Sequence, residues 1–139
     1  MRLILKDGNI YIIRFDAGEE LISELASFCT KEKIKAGTIS GIGSSDNITI
    51  SFYNLDTKQY EDVTIERRLE IVSLSGTIAL LNNAPFAHIH GIFSDADMQP
   101  VSGHVKKLIV SATAEIILTK LNGELHREHD IKTGLNLLS

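Results

Sequence analysis

Three histidines in the middle of the chain have the residue type and spacing of a metal site. His88 and His90 stand two apart in the apolar run Phe86–Phe93, and His104 follows one polar loop later. Alternate side chains of a β-strand share a face, so a strand here would present both imidazoles on one side, about 7 Å apart. The loop, Ser94–Pro100, is rich in turn residues, and a reversal there would bring His104 beside the pair. Three neutral imidazoles with an open fourth position suit a divalent metal, and zinc is the usual occupant.

A second interpretation of the same histidines needs no metal. A histidine in an apolar stretch is often a hydrogen-bonded core or interface residue, and one His-x-His pair is a weak motif. Unpaired imidazoles on a half-buried face cost free energy, which favours a shared ligand once a third histidine follows a short reversal. Both interpretations stay open here, because the number and identity of converging ligands decide such a site.

Length and composition indicate one ordinary globular domain covering residues 1–139. A chain of 139 residues can bury roughly 68% of its unfolded surface. Hydrophobic residues make up 43% and charged residues 23%, as in typical folded proteins. No apolar run approaches the roughly 20 residues that cross a bilayer, and Met1–Asp7 acquires charge too soon for a signal peptide. We therefore expect a cytoplasmic protein without membrane contact.

The net negative charge argues against unaided nucleic-acid binding, and the single cysteine argues against a disulfide or a catalytic thiol. A net charge of −4 disfavours unaided binding to phosphate backbones, which depends on Lys and Arg displacing counterions. The local candidates, Arg67-Arg68 and Lys106-Lys107, are typical of solvated strand ends. Cys29 has no partner for an intramolecular disulfide and lies in a helical pattern, so we expect a buried, inert thiol.

The elements that must position the histidines begin with a hairpin and a helix. Asp7-Gly8 is a turn dipeptide between two apolar runs, Leu3–Leu5 and Ile10–Phe15. A helix should follow with Asp16 as its N-cap, an apolar stripe at three- and four-residue spacing, and an end before Gly37.

Beyond the helix the pattern is that of strands. Alternation predicts a strand with one buried face at Asn47–Tyr53, and nearly continuous apolar character places Leu108–Leu118 at the centre of a sheet or in a subunit contact. The fold class is α+β, with one main helix packed on a predominantly antiparallel sheet of about seven or eight strands. The remaining predicted strands are Thr38–Ser44, Tyr60–Glu66, Leu69–Leu81 and the histidine run.

Two other groups of residues have patterns that do not indicate chemistry. His126 and His129 stand among charged residues, where solvent exposure is the better interpretation. The glycines form neither a P-loop nor a strand-to-helix dinucleotide motif, so close packing and tight turns explain them better. The glycines concerned are Gly41, Gly43, Gly76 and Gly103.

The order and spacing of several segments over nearly the whole chain resemble the PPC domain family, the domain conserved in plants and prokaryotes. The resemblance implies a compact α+β subunit that assembles as a homotrimer. It also implies metal binding by His88, His90 and His104, because bacterial and archaeal members tend to keep a matching triplet. The segments are Asp16–Glu20, Ala36–Gly43, Leu69–Ile78, His88–His90, Ser102–His104 and Gly134–Leu138.

Plant members of that family join the domain to AT-hook segments that contact the minor groove of DNA. No Arg-Gly-Arg-Pro segment occurs in these 139 residues. We therefore expect no retardation of duplex DNA by the isolated chain at physiological salt.

The chain is more remotely similar to acetolactate decarboxylase, which holds zinc by a His-x-His pair and a later histidine. This similarity allows an enzyme in which the metal polarises a small keto- or hydroxy-acid. Such chemistry needs an acid or base and often an arginine, for which Glu70, Arg67 and Arg68 are the candidates.

Three functional hypotheses follow from the sequence. The first is a noncatalytic, homotrimeric binding module with one metal per subunit, serving structure or capture of a small anion, with regulatory or DNA-associated duties through partners. The second is a zinc-dependent, lyase-like enzyme. The third keeps the histidines free of metal inside a subunit contact. We favour the first because no general acid or base can be identified from the sequence.

Overall fold

The computed structural model describes all residues, 1–139, and contains one helix and nine strands. The helix packs against two strands of the main sheet, and the sheet supplies most of the remaining structure. The elements are β1 (Arg2–Asp7), β2 (Ile10–Asp16), α1 (Leu21–Lys31), β3 (Gly37–Asn54), β4 (Gln59–Ile65), β5 (Leu69–Leu81), β6 (Ala84–Ser94), β7 (Pro100–Lys120), β8 (Arg127–His129) and β9 (Asn136–Leu138).

The main sheet has seven antiparallel strands in the order β1-β2-β7-β6-β5-β3-β4. An additional pairing joins β7 to β3, so β3, β5, β6 and β7 form a closed circuit of hydrogen-bonded strands. Closure removes the free edges of those strands, which makes this circuit a rigid frame. The two short strands β8 and β9 form a separate hairpin.

The helix begins later than the sequence predicts. Glu20 is its N-cap, accepting hydrogen bonds from the backbone N–H groups of Ile22 (3.2 Å) and Ser23 (2.7 Å). Asp16, the predicted cap, is instead the last residue of β2, and its N–H donates to the Glu19 carboxylate at 2.9 Å. The cap prediction was therefore wrong, because this turn precedes the helix.

The helix ends before Gly37, as the sequence predicts. Helix α1 ends at Lys31 with Glu32 as its C-cap, and Lys33 adopts a positive φ of 53°. Gly37 does not stop the helix but opens β3.

One face of α1 contributes to a core of 24 buried residues. Cys29 is fully buried on that face, and burial raises the pKa of its thiol to about 12. The predicted burial of Cys29 is therefore confirmed. Helix α1, with 11 residues, is too short to cross a bilayer, and no helix of the chain has the required length and hydropathy.

The predicted strands are present, some of them joined. The N-terminal hairpin is confirmed as β1–β2, and β5 covers Leu69–Leu81 as predicted. Segments Thr38–Ser44 and Asn47–Tyr53 belong to one long strand, β3, in which register shifts occur without ending the strand. Segment Leu108–Leu118 lies inside β7, which pairs with β2, β3 and β6 and is central as expected.

Candidate metal centre

The predicted reversal between the histidines is present as the β6–β7 hairpin. His90 pairs directly with His104 across the two strands. The connecting loop is stabilised by Asp95, whose Oδ1 accepts hydrogen bonds from the N–H groups of Asp97 and Gln99, both at 3.0 Å. This local turn fixes the register that brings the third histidine beside the pair.

All three imidazoles converge on one face of the sheet. The ring centroids are separated by 5.2 Å (His88–His90), 5.0 Å (His88–His104) and 5.5 Å (His90–His104). One ligand nitrogen from each ring lies within 4.8 Å of the other two. Tetrahedral zinc–nitrogen bonds place ligand atoms about 3.4 Å apart, so small side-chain rotations would close the rings on an ion. The residues present therefore fit a divalent cation.

Burial keeps two of the rings neutral. Desolvation, followed by the nearby charges of His88 and His90, lowers the pKa of His104 to about 4. The pKa of His88 is also lowered, first by burial and then by the Arg127 guanidinium. His104 Nδ1 is buried without a hydrogen-bond partner. A neutral imidazole with an unused nitrogen is the form that ligates metal.

Glycine 76 allows β5 to approach the histidine strand closely. It pairs with Ile89, the residue between His88 and His90. A Cβ on Gly76 would overlap the carbonyl oxygen of His88 and would lie 3.0 Å from the Ile89 Cα. Ile89 itself is fully buried on the opposite face. The close strand contact and this buried anchor together hold both imidazoles on the outer side.

Arg127, in β8, is a residue of this site that the sequence did not reveal. Its Nη2 lies 3.1 Å from His88 Nδ1 and donates to Thr77 Oγ1 at 3.0 Å. Its Nη1 donates to the Asn136 carbonyl at 2.9 Å. The contact joins positions 39 residues apart, so no local motif could have indicated it.

The C-terminal hairpin that carries Arg127 is attached to the sheet beside the histidines. Tyr53 Oη donates to the Thr133 carbonyl at 2.7 Å, and Lys58 Nζ donates to the Ile131 carbonyl at 2.8 Å. Tyr60 lies on the same side, with its ring centroid 5.2 Å from that of His104. The C-terminal hairpin and Tyr60 therefore border the histidine cluster.

The arginines and the glutamate considered from the sequence lie elsewhere. Arg67 forms a salt bridge with Asp95 at 3.1 Å. Arg68 and Glu70 line a different surface cavity, of about 490 Å³, that contains none of the histidines. They were therefore the wrong candidates for a substrate-binding arginine and an acid.

The remaining charged candidates behave as expected. His126 is exposed and lies 3.3 Å from Glu124, and His129 is exposed as well. Neither belongs to the cluster. Lys106 forms a salt bridge with Asp62 at 2.7 Å, whereas Lys107 is exposed at the surface.

Comparison with known proteins identifies the family. Residues 4–122 match the Plants and Prokaryotes Conserved domain, also written PPC. The chain belongs to the PPC domain family. It is 30% identical over 129 residues to bifunctional protein GlmU of Synechococcus sp. (strain JA-3-3Ab), a match covering 91% of this chain. The chain spans about a fifth, 20%, of that relative's length.

Two solved structures share the fold closely. A candidate DNA-binding protein from Bacteroides thetaiotaomicron superposes with a TM-score of 0.94 at 30% identity, covering 97% of this chain and 94% of the other. A metal-containing protein from Archaeoglobus fulgidus superposes with a TM-score of 0.88 at 30% identity, covering 99% and 97%. The resemblance inferred from the sequence is therefore confirmed.

The remote similarity to acetolactate decarboxylase is confirmed at the level of fold. The Bacillus subtilis subspecies spizizenii enzyme superposes with a TM-score of 0.56 at 12% identity. The match covers 79% of this chain and 52% of the enzyme, so it concerns a shared scaffold alone.

Proposed function

We propose that this chain is a metal-binding PPC-domain protein in which His88, His90 and His104 hold one divalent cation, with zinc as the expected ion. The observation that carries the proposal is the convergence of three imidazoles whose ligand atoms lie within 4.8 Å of one another. The partly buried His104, whose Nδ1 has no hydrogen-bond partner, supports it, because no hydrogen bond to that nitrogen explains why the imidazole lies there. The Archaeoglobus relative described as metal-containing adds support.

The proposed role is binding or regulation without catalysis. General acid–base catalysis requires a titratable group within hydrogen-bond reach of the reacting atoms. The carboxylate of Asp62, whose pKa is lowered mainly by its hydrogen bonds and slightly by the charge of His104, accepts hydrogen bonds from Lys106 Nζ and Ser51 Oγ. An acid held in this way is a poor proton carrier, because its partners lower its pKa.

A zinc-dependent, lyase-like enzyme acting on a small carboxylate or carbonyl compound is the second candidate. The observation that favours it is Arg127 at 3.1 Å from His88, since an arginine beside a metal can hold a substrate's charge. The scaffold shared with acetolactate decarboxylase is compatible with this candidate. It predicts turnover that requires one of the histidines and Arg127.

We further propose that residues 1–139 form one domain that assembles as a homotrimer through the outer face of the sheet. Large apolar side chains remain exposed there, with Ile42 57%, Ile92 47% and Ile117 47% accessible. His90 and Ile92 share one face of β6, so the apolar surface extends to the candidate metal centre. A second copy would cover surface that monomers rarely expose.

Any role with DNA is proposed to act through partners. The Bacteroides relative is described as a candidate DNA-binding protein, yet this chain carries a net charge of −4. Direct binding to duplex requires a basic surface, because it depends on counterion release.

Metal analysis of protein purified without a histidine tag tests the proposal. We expect close to one zinc ion per chain in the wild type, and its loss in the triple variant His88→Ala, His90→Ala, His104→Ala. The matched control is the double variant His126→Ala, His129→Ala, which should keep the ion. A metal-free wild type whose stability survives the triple substitution would contradict the proposal and favour histidines that serve the subunit contact alone.

A further inference from the structure

Arg127 brings a positive charge to the histidine cluster, and that charge has no counterion. The guanidinium is partly buried, and burial lowers its pKa. Its three hydrogen-bond partners are Thr77 Oγ1, the Asn136 carbonyl and the ring of His88, none of which carries a negative charge. No carboxylate lies within salt-bridge distance of it, and its Nε is buried without a partner. A partly buried cation of this kind is stabilised by an anion.

The candidate ligand set adds no negative charge. His88, His90 and His104 are neutral ligands, unlike the carboxylates or thiolates that accompany many metal ions. With a divalent cation bound, the cluster and Arg127 would together carry three positive charges within one small region. The other basic side chain whose charge acts on His104, that of Lys106, forms a salt bridge with Asp62 at 2.7 Å. The charge left over belongs to the cation and Arg127.

Arg127 also lies where it can act together with the cation. Its Nη2 is 3.1 Å from His88 Nδ1, so the guanidinium borders the ligand cluster directly. The centroid of the Phe86 ring lies 5.9 Å from its Cζ, and its two Nη atoms donate to Thr77 Oγ1 and to the Asn136 carbonyl. Three separate elements, β5, β6 and the C-terminal hairpin, therefore fix its position. Such fixation favours a ligand that meets the guanidinium in one orientation.

We infer that the site binds a small carboxylate, which bridges the open position of the histidine-held cation and the Arg127 guanidinium. This inference rests on the proposed metal site and names the ligand that the site takes. A carboxylate fits better than a phosphate, because its single charge suits one unpaired arginine. The Tyr60 ring, with its centroid 5.2 Å from that of His104, borders the cluster.

Cobalt(II)-substituted protein tests the inference without requiring any catalytic activity. The visible spectrum of the cobalt reports first whether the cation binds and then whether an added ligand enters its coordination sphere. Pyruvate is the carboxylate probe, acetone the neutral probe and inorganic phosphate the competing oxyanion. We expect pyruvate to change the spectrum with saturable binding, acetone to have no effect, and phosphate to bind more weakly than pyruvate.

Substitutions at Arg127 separate the ligand from the metal. In Arg127→Gln we expect about tenfold to hundredfold weaker pyruvate binding, because a charge-assisted hydrogen bond is lost, while cobalt affinity stays equal or rises. Arg127→Lys should retain part of the pyruvate affinity, because it keeps the positive charge but not the hydrogen bonds that position the guanidinium. Arg67→Gln, which removes a surface arginine paired with Asp95, is the matched control and should bind pyruvate like the wild type.

The outcomes distinguish failure of the inference from failure of the metal proposal. A wild type that takes up no cobalt contradicts the metal site itself. Cobalt uptake with equal responses to pyruvate and acetone overturns the inference, even if the arginine variants fail to fold. Unchanged pyruvate affinity in a folded Arg127→Gln protein, or preferential binding of phosphate, also overturns it and leaves Arg127 as an anchor of the C-terminal hairpin.

Discussion

Mild acid should destabilise the metal-free protein through His104. The pKa of this residue is lowered from 6.5 to about 4, mainly by burial and then by the charges of His88 and His90. Below pH 6.5, therefore, His104 becomes protonated in the unfolded chain while it stays neutral in the folded chain. Stability consequently falls as the pH drops from 6.5 toward about 4. His88, whose pKa is also lowered, acts in the same direction.

The size of this loss follows from the two pKa values of His104. One pKa unit corresponds to about 1.4 kcal/mol, so the free energy of unfolding would fall by about 2 kcal/mol between about pH 7 and about pH 5. The ring keeps some contact with solvent, and screening reduces the expected loss to about 1 kcal/mol. The carboxylates whose pKa is lowered, such as that of Asp62, titrate at lower pH and contribute little in this range.

Urea denaturation of chelator-treated protein across this pH range measures the effect. The wild type should lose about 1 kcal/mol more than His104→Gln, which has no imidazole to protonate at that position. His126→Gln removes an exposed histidine and should keep the wild-type pH dependence. Equal pH dependence in the wild type and His104→Gln would refute the burial of a neutral His104.

Three further predictions concern the elements around the site. Gly76→Ala places a methyl group against the His88 carbonyl. It should lower the free energy of unfolding by about 1–3 kcal/mol in chemical denaturation and weaken metal binding in a cobalt titration. Wild-type values for both would show that β5 can move away from β6 to make room for the methyl group. Ile117→Glu should convert the proposed trimer to monomers in sedimentation analysis, because it puts a charge on the apolar outer face of the sheet. The control Ile131→Glu, at a position that is 81% exposed and outside the outer face, should remain trimeric. A persistent trimer in Ile117→Glu would locate the subunit contact elsewhere. Tyr53→Phe removes the hydrogen bond to the Thr133 carbonyl and should destabilise the attachment of the C-terminal hairpin by about 0.5–1.5 kcal/mol. Amide hydrogen exchange in residues 127–138 should become faster. Unchanged exchange would mean that other contacts hold the hairpin.

The sequence predicts those parts of the fold that depend on local pattern. Alternation and turn residues give the β1–β2 hairpin, the bounds of β5 and the shared face of His88 and His90. The reversal before His104 is also predictable, because Asp95 closes a local turn. The helix start is not, because Asp16 has the preferred residue type for an N-cap and Glu20 does not, and only the hydrogen bonds of the folded chain identify Glu20 as the cap.

Long-range contacts lie beyond such local patterns. The pairing of β3 with β7 closes the strand circuit across segments far apart in the chain, and nothing in either strand specifies its partner. Arg127 reaches His88 for the same reason, through a C-terminal hairpin with little periodicity of its own. Arg67 and Arg68 are nearer to the histidines in sequence, yet they lie at other surfaces. Family resemblance could supply the histidine triplet, but the folded chain is needed to find the arginine beside it.

The most direct test of the central claim is anomalous diffraction at the zinc absorption edge from crystals of tag-free protein. The account predicts one strong peak per chain, about 2.1 Å from a ring nitrogen of each of His88, His90 and His104. A peak at any other group of residues, or three imidazoles without a peak in zinc-supplemented crystals, would contradict it.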